Sequence, residues 1–140
     1  MKVNLSYQVT ATDISHQILQ KAKQGAYTQL EVQRGLAAPL LVQYFRKNDS
    51  DQWCIRPEIK NNVCFKMLNL IEPFYVEQRF DLILCRNVLI YQKREMKEKI
   101  LERVSRFLKP GGYLIMGSGE TLVGLRDDYE QVLKEGALLY

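Results

Sequence analysis

Apolar and polar positions alternate over Tyr7-Gln8-Val9-Thr10-Ala11-Thr12, a run rich in β-formers, which predicts a strand stopping at Asp13. Ser15 stands where a helix cap is needed, and His16 to Gln24 then reads as a helix with Ile18, Leu19 and Ala22 on one face. Gly25 closes that helix, since glycine takes the left-handed conformation at a helix end at little cost. Periodicity is weakest over residues 28–62. There Leu36 to Phe45 reads as a short apolar helix and Arg46 to Asp51 as a polar turn. Trp53 to Arg56 and Val63 to Met67 read as strands beside that turn, forming a hairpin or small antiparallel flap.

The pattern sharpens in the second half. Phe80 to Cys85 is a short apolar run bounded by polar residues, as expected of a buried parallel strand. From Lys93 to Leu108, the residues Met96, Ile100, Val104 and Phe107 or Leu108 recur at the spacing of an amphipathic helix. Lys109-Pro110-Gly111-Gly112 breaks it, and Tyr113 to Met116 resumes as a strand. Tyr129 to Leu133 and Ala137 to Tyr140, separated by Gly136, suggest a terminal hairpin. Strands alternating with helices predict an α/β fold around a mainly parallel sheet.

Composition narrows the function classes. At 140 residues, with 46% hydrophobic and 26% charged residues, the chain suits one soluble domain. No apolar run approaches the roughly 18 residues of a membrane span. Met1 to Tyr7 lacks the apolar core of a signal peptide, so a cytoplasmic protein that is not membrane-embedded is expected. Cys54, Cys64 and Cys85 form no CxxC pair, which argues against a zinc knuckle or dithiol centre; no metal site is expected. A net charge of +4 is mild and its basic residues are dispersed, unlike the concentrated stripe of a nucleic-acid binder.

Ligands of open α/β sheets bind beyond the carboxyl ends of the strands, so residues there carry the candidate chemistry. Asp13 follows the first strand and can accept hydrogen bonds from both hydroxyls of a ribose; it can equally cap the following helix. Asn69, in Met67-Leu68-Asn69-Leu70, offers the donor and acceptor that suit an adenine edge, or serves as a turn residue. Arg86 and Asn87 are a polar pair between strongly apolar neighbours. Arg86 can fork onto a carboxylate of substrate or cofactor, or join a surface ion pair. Gly117-Ser118-Gly119-Glu120 allows close backbone approach and brings an acid to the same edge, but lacks the lysine and spacing of a phosphate loop. His16 stands alone and is assigned no catalytic role.

Together these stretches resemble the CheR-type chemotaxis methyltransferases. The resemblance rests on Thr12-Asp13-Ile14, Leu68-Asn69-Leu70, the whole block from Phe80 to Tyr91, and Leu108-Lys109-Pro110-Gly111-Gly112-Tyr113-Leu114. It implies a Rossmann-like class I methyltransferase sheet, mostly parallel with an antiparallel terminal hairpin. On that reading the chain is a partial catalytic domain over 1–140, lacking the first strand and glycine loop, with a small β-flap inserted around 44–67. S-adenosylmethionine is the implied cofactor, S-adenosylhomocysteine the product, and glutamate side chains on the cytoplasmic domain of chemoreceptors the implied substrate. By position Asp13 would hold the ribose. Asn69 and Leu70 would border the adenosyl group. Arg86 and Asn87 would line the site near cofactor and incoming glutamate, and are the residues to which a catalytic part falls. The family's Gly-His-Ser-Glu turn is replaced by Gly117-Ser118-Gly119-Glu120.

Three readings follow. One is a working glutamate methyltransferase. Another is a CheR-like binding or regulatory module with little activity in isolation, dimeric or completed by a strand from a partner. The third, a dehydrogenase, is the poorest, because no GxGxxG occurs and the Arg86-Asn87 block has no place in it.

Overall fold

The computed structural model describes residues 6–134 and 137–140. The chain divides into two units, Met1–Asn69 and Leu70–Tyr140, and each is described by itself. The amino-terminal residues read above for a leader, and Gly136 of the predicted hairpin turn, lie outside the described residues.

In the first unit, strand β1 (Val9–Asp13) pairs in parallel with a strand at Val63–Met67, in register from Val9↔Val63 to Asp13↔Met67. Helix α1 (His16–Gln24) starts where the sequence places it. The Ser15 hydroxyl accepts from the Ile18 N–H at 3.3 Å, and Gly25 ends the helix at φ 66° while donating to the Lys21 carbonyl. Lys21 and Lys23 lie in its last turn, where the helix dipole favours cations. Of the predicted apolar face, Leu19 is buried whereas Ile18 is largely exposed.

The weakly patterned segment holds more structure than its periodicity announced. β2 (Ala26–Tyr27) leads into α2 (Gln29–Gln33), which a reciprocal capping box starts: Glu31 N–H donates to the Thr28 hydroxyl, and Thr28 N–H to the Glu31 carboxylate. α3 (Ala38–Tyr44) carries a proline in its first turn. β3 (Phe45–Lys47) and β4 (Trp53–Ile55) form an antiparallel hairpin, which β2 joins in the order β2-β4-β3. Its turn is tied by Asn48, whose side-chain oxygen accepts from the N–H groups of Ser50 and Gln52. Trp53 donates its indole N–H to Gln29 at 2.7 Å. After α4 (Pro57–Lys60), the stretch Val63–Met67 is β5, the parallel partner of β1. The expectation that it flanks the polar turn as part of the flap is therefore corrected. Alternation over five residues announces a strand but not its partner, and here the partner lies more than fifty positions upstream.

Gly25 is the tightest junction of this unit. A Cβ there would meet Ile55 Cγ2 at 2.7 Å, on a backbone already at positive φ. Gly25→Ala is expected to destabilise the fold by about 1–3 kcal/mol, read as a lower denaturant midpoint at unchanged slope.

In the second unit, β6 (Phe80–Cys85) pairs in parallel with β7 (Leu108–Met116). The register runs from Leu82↔Tyr113 to Cys85↔Met116, with an irregularity after Phe80↔Leu108 that bulges the Pro110-Gly111-Gly112 stretch. The helix has already ended at Ser105 and the strand opens at Leu108, so Lys109-Pro110-Gly111-Gly112 lies within β7 rather than between helix and strand, which corrects the expectation of a helix running to Leu108 and a strand starting at Tyr113. Helix α5 (Arg94–Ser105) buries Ile100, Leu101 and Val104. β8 (Val132–Lys134) and β9 (Ala137–Leu139) form the antiparallel terminal hairpin, and Tyr140 exchanges both main-chain bonds with Leu114 of β7, at 2.7 and 3.0 Å. Cys85, Leu89, Ile100, Leu101, Val104, Leu114, Met116, Leu122 and Tyr140 make the core. This is the mixed α/β, largely parallel architecture that the alternation predicted. One expectation needs correction. Strand β6 is not buried on both faces: Ile83 and Cys85 face the core, but Leu82 and Leu84 are 48% and 64% exposed. Ile100, Leu101 and Val104 of α5 join Cys85, Leu114 and Met116 in the core, while the β9 end extends the pair edge-on beside β7. Among the described residues, no helix is long and apolar enough to cross a membrane.

Candidate functional site

Parallel pairing brings strand ends of like sense to one edge, and each unit has such an edge. In the first, Asp13 is the last residue of β1. Its carbonyl accepts from Leu68 N–H at 3.0 Å, so the ladder continues one step past β5 and sets Leu68-Asn69 beside it. Asp13 and Asn69 are therefore neighbours on one carboxyl edge. Asp13 Oδ1 accepts from Ser15 N–H at 2.7 Å, which fixes the turn into α1, while Ser15 itself caps the helix. Both alternatives for Asp13 thus have a part. One carboxylate oxygen braces the turn, and the other makes no hydrogen bond within the described residues.

The second unit holds Leu70, Arg86 and Asn87. Leu70 is half-buried against the core, and its carbonyl accepts from Arg103 of α5. Arg86 and Asn87 follow β6 directly, where Cys85 stands opposite Met116 of β7. Both are exposed, and within the described residues Arg86 forms no ion pair, which leaves its fork open. Asn87 sits at φ 58°, a left-handed conformation that asparagine tolerates better than most residues.

The residue that organises this edge is Glu120. Its Oε2 accepts from the N–H of Asn87 at 2.6 Å and of Gly117 at 2.8 Å; its Oε1 accepts from Leu89 at 2.7 Å and Ile90 at 3.2 Å. Four main-chain donors thus converge on one carboxylate and hold the loop from Arg86 to Ile90. Desolvation pushes its carboxyl up, but the N–H groups of Gly117, Asn87, Leu89 and Ile90 outweigh it and keep the group below its ordinary value. Gly117 is buried where this closes. A Cβ there would collide with Asn87 Oδ1 and lie 2.6 Å from Glu120 Oε2. Burial, and then the Glu120 charge, push the neighbouring Cys85 thiol up to about 11, so Cys85 is a protonated packing residue and not a nucleophile.

The sequence marked Glu120 as an acid at the edge but not as the loop's anchor. A signal was present: an acid three residues after the strand's closing glycine can reach back to that glycine's N–H, as in a capping box. Arg103 gave no signal at all, since its partners are main-chain carbonyls. Beside the loop, Leu89, Arg94, Lys97, Gly119, Glu120 and Thr121 line a cavity of about 260 Å³. A larger groove of about 440 Å³ lies in the first unit, lined by Gln20, Gln24, Thr28 and Gln52 among others, and contains none of the five candidate residues. Among the described residues, no cluster of three or more His, Cys, Asp or Glu side chains is placed to hold a metal.

Comparison with known proteins bears on these edges. Residues 1–137 match the family model described as CheR methyltransferase, SAM binding domain. The chain is 37% identical over 139 residues to the chemotaxis protein methyltransferase Cher2 of Pseudomonas putida, covering 99% of this chain and 50% of that protein. It is 41% identical over 133 residues to chemotaxis protein methyltransferase 1 of Pseudomonas aeruginosa, covering 95% of this chain and 48% of that one. The chain thus spans about half the length of the curated relatives it matches. Among solved structures, the N-methyltransferase NodS from Bradyrhizobium japonicum superposes at TM-score 0.52 and 14% identity, over 94% of this chain and 69% of that one. The glycopeptide N-methyltransferase MtfA, complexed with S-adenosylmethionine, superposes at TM-score 0.51 and 12% identity, over 91% and 41%. These two likenesses identify the methyltransferase fold.

Proposed function

The chain belongs to the CheR methyltransferase family, as its SAM-binding domain, and from that premise we propose that it serves transfer of a methyl group from S-adenosylmethionine to glutamate side chains of chemoreceptor cytoplasmic domains, giving glutamate methyl esters. One observation carries the reading beyond the family. A guanidinium that forms no ion pair among the described residues, Arg86, stands at the carboxyl end of a parallel strand, on a loop that Glu120 has already fixed.

The residues present fit the cofactor. Among the described residues Asp13 keeps one carboxylate oxygen without a hydrogen bond at a strand end, where ribose hydroxyls bind. Asn69 supplies an amide beside it, and Leu70 an apolar side chain for the adenosyl group. When bound, S-adenosylmethionine supplies a methyl group already activated by its sulfonium. An ionised glutamate is already a nucleophile, so no general base is required. Arg86 and Asn87 then have the task of orientation: Arg86 forks onto a carboxylate and Asn87 offers donor and acceptor. Because the loop is fixed before substrate arrives, little ordering entropy remains to be lost.

A second reading, a CheR-like module of low intrinsic activity, is favoured by the uncovered Leu82 and Leu84 on β6. One assay separates the two. With methyl-labelled S-adenosylmethionine and receptor fragments, the methyltransferase reading expects base-labile label that is lost when Arg86 becomes alanine. Absence of label, or base-stable label, would overturn it.

A further inference from the structure

We propose that Arg103 is a positioning residue for the cofactor, acting through the main chain of Leu70 and Ile71. The inference rests on the assignment of Leu70 to the adenosyl group and deepens it by naming what sets that residue in place. Arg103 lies in the last turn of α5, half-buried. Its Nη1 donates to the Leu70 carbonyl at 3.1 Å and to the Ile71 carbonyl at 2.5 Å. No carboxylate pairs with it among the described residues; its neighbour Glu102 is taken by Arg106 at 2.6 Å. A guanidinium normally finds an acid, because two charge-assisted bonds to a carboxylate offset its desolvation better than carbonyls do. Here Nη1 is committed to two successive carbonyls of a segment that lies in neither helix nor strand.

The same segment has a second anchor further along. Phe74 stacks on Phe107 at 5.4 Å, and Tyr75 meets the same ring edge-on at 6.5 Å. The two anchors divide the work. The Phe107 contacts hold the distal end by apolar burial. Arg103 fixes the carbonyls of Leu70 and its successor, and with them the direction of the Leu70 side chain. Loss of the first should cost stability, whereas loss of the second should cost cofactor affinity.

The test compares Arg103→Met, Arg103→Lys and Phe107→Leu by calorimetric titration with S-adenosylhomocysteine, thermal unfolding and methyl-transfer kinetics. Arg103→Met should weaken binding roughly tenfold. It should raise KM for S-adenosylmethionine in parallel and leave kcat at saturation within about twofold. Arg103→Lys, which keeps the charge and donors, should recover part of the affinity, and remains informative if the methionine variant folds poorly. Phe107→Leu should lower the melting temperature at wild-type affinity. A folded Arg103→Met protein with wild-type affinity would overturn the proposal, as would affinity losses that track melting temperature across all three variants. Asp13→Asn distinguishes the failures. If it too leaves affinity unchanged, the adenosyl reading itself falls; if it alone loses affinity, only the role of Arg103 falls.

Discussion

Glu120→Gln is expected to destabilise the protein by about 3 kcal/mol at neutral pH and to lower methyl transfer by about 100-fold. Glutamine keeps one carbonyl oxygen, which can serve either the Asn87 and Gly117 pair or the Leu89 and Ile90 pair. Its amide then turns donors toward donors at the other pair. The Leu89 N–H is partly buried, so leaving it without its acceptor carries a desolvation cost. Loosening there displaces Arg86 and Asn87, which explains why activity should fall by more than stability alone dictates.

The same carboxylate predicts a pH dependence. Its folded pKa lies below the ordinary 4.5. Its contribution is therefore complete above the unfolded value and is lost as pH falls through the folded one, because the unfolded chain takes up the proton first. The exposed Glu31, held down to about 2 chiefly by its bond to Lys21, titrates in the same direction, as do Asp81 and Asp128. Wild type alone cannot apportion the acid loss, but the difference between wild type and Glu120→Gln can. That difference should be widest near neutrality and shrink below about pH 4.5. Denaturant midpoints measured from pH 3 to 7 would check it; a gap constant with pH would refute the anchor role.

Asp13→Asn carries the other large effect. Asparagine retains an oxygen for Ser15 N–H, so the turn into α1 and the Ser15 cap should survive with little change in melting temperature. What it loses is the anionic acceptor for ribose hydroxyls. Charge-assisted bonds of this kind contribute about 1.5–3 kcal/mol, so affinity for S-adenosylhomocysteine should fall by roughly 10- to 150-fold. Calorimetric titration beside thermal unfolding keeps the two parts of Asp13 apart. Unchanged affinity would refute the ribose assignment, and a large loss of stability would show the brace to be its main task.

How far these features could be read from sequence depended on how local they are. Helix α1 was legible with both caps, because Ser15 and Gly25 act within one turn. Strand β6 was legible as a strand but not in its exposure: Leu82 and Leu84 are as apolar as Ile83, and composition says nothing about which face is covered. Val63–Met67 was legible as a strand and assigned to the wrong sheet, since pairing over long separation leaves no trace in a five-residue pattern. Helix α2 went unread although Thr28 and Glu31 spell a capping box, because its single buried residue, Val32, gives no periodicity. At the candidate site, Asp13, Asn69, Leu70, Arg86 and Asn87 were marked by type and by position after strands. Glu120 and Arg103 grip main-chain atoms, which every residue possesses; only the spacing of Glu120 from Gly117 carried a signal, and Arg103 carried none.

The central claim is that S-adenosylmethionine binds at these strand ends, and amide NMR shifts during titration with S-adenosylhomocysteine test it most directly. The account predicts shifts at Asp13, Ser15 and Leu68, around the end of β1, suppressed by Asp13→Asn. Shifts confined to Gln20, Gln24, Thr28 and Gln52, around the larger groove, would contradict it.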